Sequence, residues 1–157
     1  MIWMRVGDSV PPWRGVGATL DSVSASCTVL RDTTETRAEG LSTRILSVPI
    51  GGDTAEAEIV DGRVWRIAVG RPGLRTTDSL GVGTTLARLT AQFPGATAGH
   101  GEDGLYVTST RCGLSFRLAN PGGGARSSAS GVAELRRLPP NTAVDRVLVT
   151  GCILELD

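Results

Sequence analysis

Alternating hydrophobic and polar positions predict short antiparallel strands along much of the chain. In the stretch 41–69, the dipeptides Gly51-Gly52 and Asp61-Gly62 separate three such runs. Both dipeptides favour tight hairpins, because the central positions of these turns need a positive φ. We therefore expect a three-stranded meander. Its strands would cover 41–50, 53–60 and 63–69.

The second half of the chain shows a similar pattern with a longer loop. Alternation predicts strands at 105–110, 114–118 and 144–149. A stretch rich in Gly and Ser separates the last two, so we expect a flexible loop at 120–141. A short alternating run at 1–6 predicts one further strand at the beginning of the chain.

Two stretches have the periodicity of short amphipathic helices. They read GVGATLDSVSASC (15–27) and GVGTTLARLTAQF (81–93). In each stretch apolar residues recur at i, i+3 and i+7, which places them on one face of a helix. Thr84 is expected to cap the start of the second helix, and Pro94-Gly95 to end it.

The two halves correspond at three places in the same order. After the similar helices, an acid-Gly-Leu triplet occurs at 39–41 and again at 103–105, and the final strands read VWRIAV and VDRVLV. These matches predict an internal repeat of about 15–69 and 81–152. Since neither small sheet could cover its apolar face alone, we expect two helix-plus-three-strand repeats that share one core. The predicted fold is a single α+β domain, 1–157, that is mainly antiparallel β.

A GVGxTL helix start followed by antiparallel strands, given twice, resembles the tandem modules of β-lactamase-inhibitor proteins and small outer-membrane assembly lipoproteins. The resemblance implies an extracytoplasmic module, periplasmic or secreted, that binds other proteins. A lipocalin-like closed β-barrel with one helix is the competing fold, because seven or eight antiparallel strands could also close on themselves. An extended chain at 18–27 would favour that barrel.

Charge and hydropathy exclude two classes of partner. Sixteen basic residues, all arginine, balance sixteen acidic residues, so no net field attracts the chain to nucleic acid or an anionic membrane. No apolar run approaches the ~18 residues of a membrane-spanning helix. The first residues, MIWMRVGD, are too few and too quickly interrupted for a signal peptide. We expect no nucleic-acid partner and no membrane span.

The three cysteines do not form a recognisable metal or disulfide framework, because no two of them have metal-ligand spacing. If the strands at 114–118 and 144–149 pair antiparallel, Cys112 and Cys152 come close together. We then expect a disulfide between them, with two reduced cysteines in a cytoplasmic protein as the alternative. Cys27 aligns with Phe93 and is expected to be a small buried apolar group.

Acidic residues near Gly-rich turns suggest a cation site. Glu39 and Asp103 hold equivalent positions in the two repeats, and with Asp78 and Glu102 they offer the oxygen ligands that Ca²⁺ takes. A bound cation could activate water for ester or phosphoester hydrolysis. The single histidine, His100, is the candidate catalytic residue. The alternative is that these acids are solvated turn residues, because no fixed metal-binding spacing is present.

Aromatic side chains predict an apolar pocket. Trp3, Trp65, Tyr106 and Phe116 would line it if the sheet curves over the helices. Two functions remain open. The favoured one is a small extracytoplasmic binding module whose concave sheet face takes a small apolar molecule or another protein. The alternative is a Ca²⁺-dependent hydrolase of esters or phosphoesters.

Overall fold

The computed structural model contains two short helices and ten strands in the part of the chain that it describes. That part is residues 4–5, 17, 19–36, 40, 42–50, 53–76, 78–101, 104–109, 113–119 and 135–150. The helices are α1 (Leu20–Ser26) and α2 (Leu86–Gln92). The strands are β1 (Met4–Arg5), β2 (Arg31–Thr36), β3 (Ser42–Ile50), β4 (Asp53–Val60), β5 (Arg63–Val69), β6 (Arg75–Thr76), β7 (Thr97–Gly101), β8 (Gly104–Thr108), β9 (Leu114–Leu118) and β10 (Val144–Thr150).

Eight of the strands form one antiparallel sheet in the order β2-β3-β4-β5-β10-β9-β8-β7. The predicted meander is present as β3, β4 and β5, and β5 pairs with β10 to join the two halves. Strands β1 and β6 make a separate two-stranded sheet. The prediction of a β-rich, mainly antiparallel α+β fold is therefore confirmed.

The large sheet is open. Strands β2 and β7 are its edges, and neither pairs with another described strand on its outer side. Helix α1 also occupies the stretch that the barrel alternative would have made extended. The lipocalin-like closed barrel is therefore wrong.

The edge strands β2 and β7 lie in stretches that the sequence pattern did not predict as strands. Strand β2 reads RDTTET and is almost wholly exposed, and β7 reads TAGHG and carries two glycines. Each helix is thus followed by four strands of the large sheet in place of the three expected. Hydrophobic alternation cannot reveal such strands, because an edge strand needs few buried side chains.

Each helix begins at a threonine whose side chain accepts a hydrogen bond from a backbone N–H one turn further on. The distances are 3.2 Å for Oγ1 of Thr19 and 3.3 Å for Oγ1 of Thr85. These caps satisfy N–H groups that have no partner within the helix. Thr84, the expected cap of α2, instead accepts a hydrogen bond from the backbone N–H of Gly81 at 3.0 Å. In the described part of the chain, neither helix is long and apolar enough to span a membrane.

The hydrophobic core lies between the helices and one face of the large sheet. Val23 of α1 and Leu89 of α2 are fully buried in the same cluster as the inward residues of β3, β4, β5, β8, β9 and β10. The rings of Phe93 and Phe116 are 6.3 Å apart in this core. Because both helices cover one face, the opposite face of the sheet carries no helix from the described part of the chain. We call it the open face.

Candidate functional site

A broad groove of about 830 Å³ runs across the open face of the sheet. Its lining residues come from both halves of the chain, and therefore from strands on either side of the central β5–β10 pair. They are Glu35, Ile45, Glu56, Glu58, Trp65, Arg66, Gly99, His100, Gly101, Tyr106, Thr108, Ser115, Arg146 and Leu148. We call this cavity the groove.

Two β-bulges determine which side chains reach the groove. Where β4 pairs with β5, the register shifts so that Trp65 is the extra residue between Val64 and Arg66. Where β10 pairs with β9, the register shifts in the same way at Asp145. Such bulges redirect side chains locally. Here the core valine before each bulge is followed within two residues by an arginine that lines the groove.

A buried ion pair forms the floor of the groove. Glu58 is only 3% exposed, and its carboxylate accepts hydrogen bonds from Nε and Nη2 of Arg66, the latter at 2.8 Å. This two-point geometry is the strong form of an arginine–carboxylate contact. Cζ of Arg66 also lies 4.9 Å from the centre of the Trp65 ring, within cation–π range. Trp65 is nevertheless 42% exposed.

A second ion pair links the two halves of the sheet. Nη2 of Arg146, on β10, lies 3.3 Å from Oε2 of Glu56, on β4, so the contact reaches across β5. Both side chains also line a smaller cavity of about 350 Å³ on the same face. We call this cavity the arginine pocket, because Arg71 and Arg117 line it together with Arg146.

The far end of the groove is built by β7 and β8. Tyr106 is largely buried there, and its ring lies so close to Gly101 that a Cβ at that position would come within 2.8 Å of it. Gly101 therefore allows the ring to lie against β7. The exposed His100 lines the groove beside these residues.

The sequence-predicted pocket residues separate into three groups. Trp65 and Tyr106 line the groove, as does the candidate catalytic residue His100. Phe116 lies on the opposite face of the sheet, where it is 0% exposed and packed in the core. Trp3 lies outside the described residues.

Of the four predicted calcium ligands, the structure describes one. Asp78 lies in the turn before α2, where its backbone oxygen accepts a hydrogen bond from Nη2 of Arg88 at 3.1 Å. Glu39, Glu102 and Asp103 lie outside the described residues. Within the described ranges, no group of three or more His, Cys, Asp and Glu side chains is arranged to hold a metal ion. The calcium site and the hydrolase that would depend on it stay predictions.

The strand pairing on which the disulfide prediction depended is present. Strands β9 and β10 are antiparallel, and the backbone N–H of Thr150 donates to the carbonyl of Gly113 at 2.8 Å. Cys112 and Cys152 themselves lie outside the described residues, so the disulfide stays a prediction. Cys27 is partly buried, its thiol donates to the carbonyl of Val23 at 3.3 Å, and burial raises the pKa of this thiol.

Sequence reasoning missed the charged centre of the open face. The strands VWRIAV and VDRVLV, which contain Arg66 and Arg146, indicated only the repeat. The available signal was an arginine inside each of the most apolar strands, VWRIAV and VDRVLV. A charged residue in a central strand needs a partner, because an unpaired buried charge is costly.

The comparisons with known proteins bear on the fold. No protein-family model matches the sequence, and no curated protein sequence matches it. A solved structure that resembles the chain is that of the uncharacterized protein YfeY from Escherichia coli, with a TM-score of 0.61. The two are 17% identical, and the match covers 87% of this chain and 96% of that one. At this identity the likeness is one of fold, and the chain shares its open β-rich architecture with that protein.

Proposed function

We propose that the protein is a binding module that takes a small molecule with an apolar part in the groove. The observation that carries the proposal is the composition of the groove. An exposed Trp65, a largely buried Tyr106 and the ion pair of buried Glu58 with partly buried Arg66 line the same cavity of about 830 Å³. Ligand sites in proteins are typically concave, of roughly 300–1,000 Å³, and combine aromatic walls with a few well-placed polar groups.

The buried ion pair supports a binding role more than a structural one. Removing two charges from water costs free energy, and a hydrophobic pair of similar size often stabilises a fold at least as well as a buried ion pair. No helix among the residues that the structure describes covers the face that carries Glu58 and Arg66, and Trp65 is a large aromatic residue left 42% exposed there. Aromatic residues with a polar edge suit sites that are apolar on one side and wet on the other.

A neutral probe tests the proposal without contributions from charge. We expect the fluorescent dye Nile red to gain emission on addition of the protein, because the groove offers it an apolar wall. Trp65→Ala should weaken this binding about tenfold, as expected when a buried aromatic contact worth ~1.5 kcal/mol is lost. The matched control is Leu30→Ala, since Leu30 is 56% exposed and does not line the groove.

Two outcomes would contradict the proposal. One is the absence of any emission change with the unmodified protein at high concentration. The other is equal loss of binding in Trp65→Ala and Leu30→Ala, which would assign the dye to general apolar surface. If the dye does not bind, but Trp65→Ala weakens binding of another protein and Leu30→Ala does not, the partner would instead be that protein.

We also propose that the chain consists of two structural repeats. Supporting contacts recur at equivalent places: the N–H of Gly17 donates to the carbonyl of Val64, and the N–H of Gly83 to that of Val144, each at 2.7 Å. Thr19 and Thr85, which begin the helices, each form an isolated bridge to the residue before those valines. Both bulges also fall directly after these valines. A repeat in which each half buries the other's apolar edge fits this arrangement.

We further propose an extracytoplasmic location, in the periplasm or outside the cell. The proposal depends on the resemblance to periplasmic and secreted modules and on the expected Cys112–Cys152 disulfide, which an oxidising compartment would maintain. Fractionation of the native host's cells, with an antibody to the protein, tests it. Recovery of the protein in the cytoplasmic fraction alone would contradict it.

A further inference from the structure

Two arginines stand directly opposite each other in the second half of the sheet. Arg146 on β10 is the register partner of Arg117 on β9. At the corresponding place in the first half, Arg66 on β5 faces Glu58 on β4, an attractive pair. Like charges directly opposite in a sheet are destabilising, so the second half holds an arrangement that the first half avoids.

The described carboxylates that line the pocket are fewer than its guanidinium groups. Nε of Arg117 lies 2.7 Å from Oδ1 of Asp145, and Arg146 pairs with Glu56 at 3.3 Å. With Arg71, which lies just after β5, the arginine pocket has three guanidinium groups against two carboxylates. Among the described residues that line the pocket, positive charges therefore exceed negative charges by one.

Two of the arginine side chains that line the pocket are more buried than its carboxylate side chains. The side chains of Arg117 and Arg146 are 24% and 28% exposed, whereas those of Asp145 and Glu56 are 40% and 51% exposed. A less hydrated guanidinium attracts an anion more strongly, because the local dielectric is lower. Each guanidinium also presents N–H donors in a fixed fork. Oxyanions such as carboxylate and phosphate match that fork.

From this arrangement we propose that the arginine pocket binds an oxyanion, namely a carboxylate, phosphate or sulfate group. Ser47 and Thr54 line the same pocket and offer hydroxyl donors for the remaining oxygens. The pocket and the groove share Glu56 and Arg146. The oxyanion is therefore the charged end of the molecule whose apolar part lies in the groove. This last link depends on the proposed function, whereas anion binding by the pocket does not.

Inorganic phosphate tests the pocket by itself. At constant ionic strength, adding phosphate in place of chloride should raise the Tm of the protein, because a ligand of the folded state stabilises it by mass action. Arg117→Gln should weaken phosphate binding about tenfold, the effect of losing a hydrogen bond to a charged group worth ~1.5 kcal/mol. Arg44→Gln is the matched control, since it removes the same charge from a surface ion pair outside the pocket.

The exposed Arg71 provides a second variant. Arg71→Gln should fold normally, because no hydrogen bond or ion pair joins this side chain to a described residue. It should also weaken phosphate binding. An equal Tm rise in the unmodified protein, Arg117→Gln and Arg71→Gln would overturn the proposal, as would no rise in the unmodified protein. Succinate in place of phosphate distinguishes a carboxylate-selective site from a phosphate-selective one.

Amphiphiles separate failure of the pocket from failure of the groove. Octyl phosphate should displace Nile red from the unmodified protein at about tenfold lower concentration than octanol. That preference should vanish in Arg117→Gln, while displacement by octanol stays the same. Phosphate binding without dye binding would leave the pocket intact and contradict the groove ligand. Dye binding with no preference for octyl phosphate would contradict the link between the two sites, namely that the oxyanion is the charged end of the groove ligand.

Discussion

The buried carboxylate of Glu58 receives two N–H groups of the Arg66 guanidinium, at the centre of the open face. Arg66→Met should lower the free energy of unfolding by about 3 kcal/mol, because it leaves a carboxylate that is 3% exposed without its guanidinium. Urea unfolding followed by circular dichroism measures the loss. The double variant Glu58→Met with Arg66→Met should recover most of it, since an apolar pair removes the desolvation cost.

Arg146→Met is the matched control for this pair. Its partner Glu56 is 51% exposed, so the free energy of unfolding should change by less than about 1 kcal/mol. Equal losses in Arg66→Met and Arg146→Met would show that burial of the carboxylate does not determine the cost. A double variant less stable than Arg66→Met would contradict the desolvation argument.

The exposed pair of Asp32 and Arg44 predicts a pH-dependent contribution to stability. Arg44 donates two hydrogen bonds to the carboxylate, at 3.0 and 2.6 Å, and the contact holds the pKa of Asp32 below its ordinary value. A lowered pKa in the folded state means that the contribution is present above the unfolded pKa. It is lost as the pH falls through the folded pKa, below pH about 4.

In Arg44→Gln the pKa of the Asp32 carboxyl should return towards its ordinary value. A titration of the side-chain carboxyl carbon by NMR measures both proteins. The difference in Tm between the unmodified protein and Arg44→Gln should shrink as the pH falls through this window, and a difference that grew would contradict the assignment.

The central strands of the fold were predictable because local patterns determine them. Strands β3, β4 and β5 alternate apolar and polar residues and meet at Gly-containing turns, one of which has Asp61 and Gly62 at positive φ. Strand β2 was not predictable, since RDTTET contains no apolar residue and pairs on one side alone. What specifies β2 is its neighbour β3, a tertiary influence that no window of sequence contains.

Individual residues of the groove could be predicted from the sequence, but the contacts between residues far apart in the chain could not. Trp65 and Tyr106 are aromatic residues in strands, and composition alone makes them candidates. The ion pair of Arg146 and Glu56 joins residues 90 positions apart, through the pairing of β5 with β10. Phe116 lies in the core because LSFRL buries every second residue, a period that assigns Ser115 to the groove face.

Two glycines of β7 give a paired test of the groove wall. A Cβ at Gly101 would lie 2.8 Å from the Tyr106 ring, whereas a Cβ at Gly99 would meet nothing within 4 Å. Gly101→Ala should therefore displace the ring and lower the free energy of unfolding by about 1 kcal/mol or more. Gly99→Ala should be neutral or slightly stabilising, since it restricts the unfolded chain. Equal effects of the two substitutions on stability and on Nile red binding would contradict the contact.

The number of reactive thiols tests the predicted disulfide between Cys112 and Cys152. Protein recovered from its native cells under acid quench, then unfolded without reductant, should present one reactive thiol, Cys27, and three after reduction. In Cys112→Ser two thiols should react, because Cys152 loses its partner. In the folded protein Cys27 should react slowly with iodoacetamide at neutral pH, since burial raises its pKa and reduces the thiolate fraction. Three reactive thiols before reduction would contradict both the disulfide and the extracytoplasmic location.

Chelation separates the proposed binding module from the calcium-dependent hydrolase. If the groove alone carries function, EDTA should change neither the Tm nor Nile red binding, because no cation takes part. A calcium site formed by Glu39, Asp78, Glu102 and Asp103 requires the opposite result. EDTA should then lower the Tm, excess Ca²⁺ should restore it, and turnover of a p-nitrophenyl ester or phosphoester should depend on the metal.

Matched double variants test this calcium site. The double variant Glu39→Gln with Asp103→Asn should remove the response of the Tm to EDTA. Glu35→Gln with Asp61→Asn, which removes the same charge elsewhere, should keep it. A Tm response to EDTA that only the first double variant lacks would contradict a metal-independent module and assign a metal site to the acidic turns.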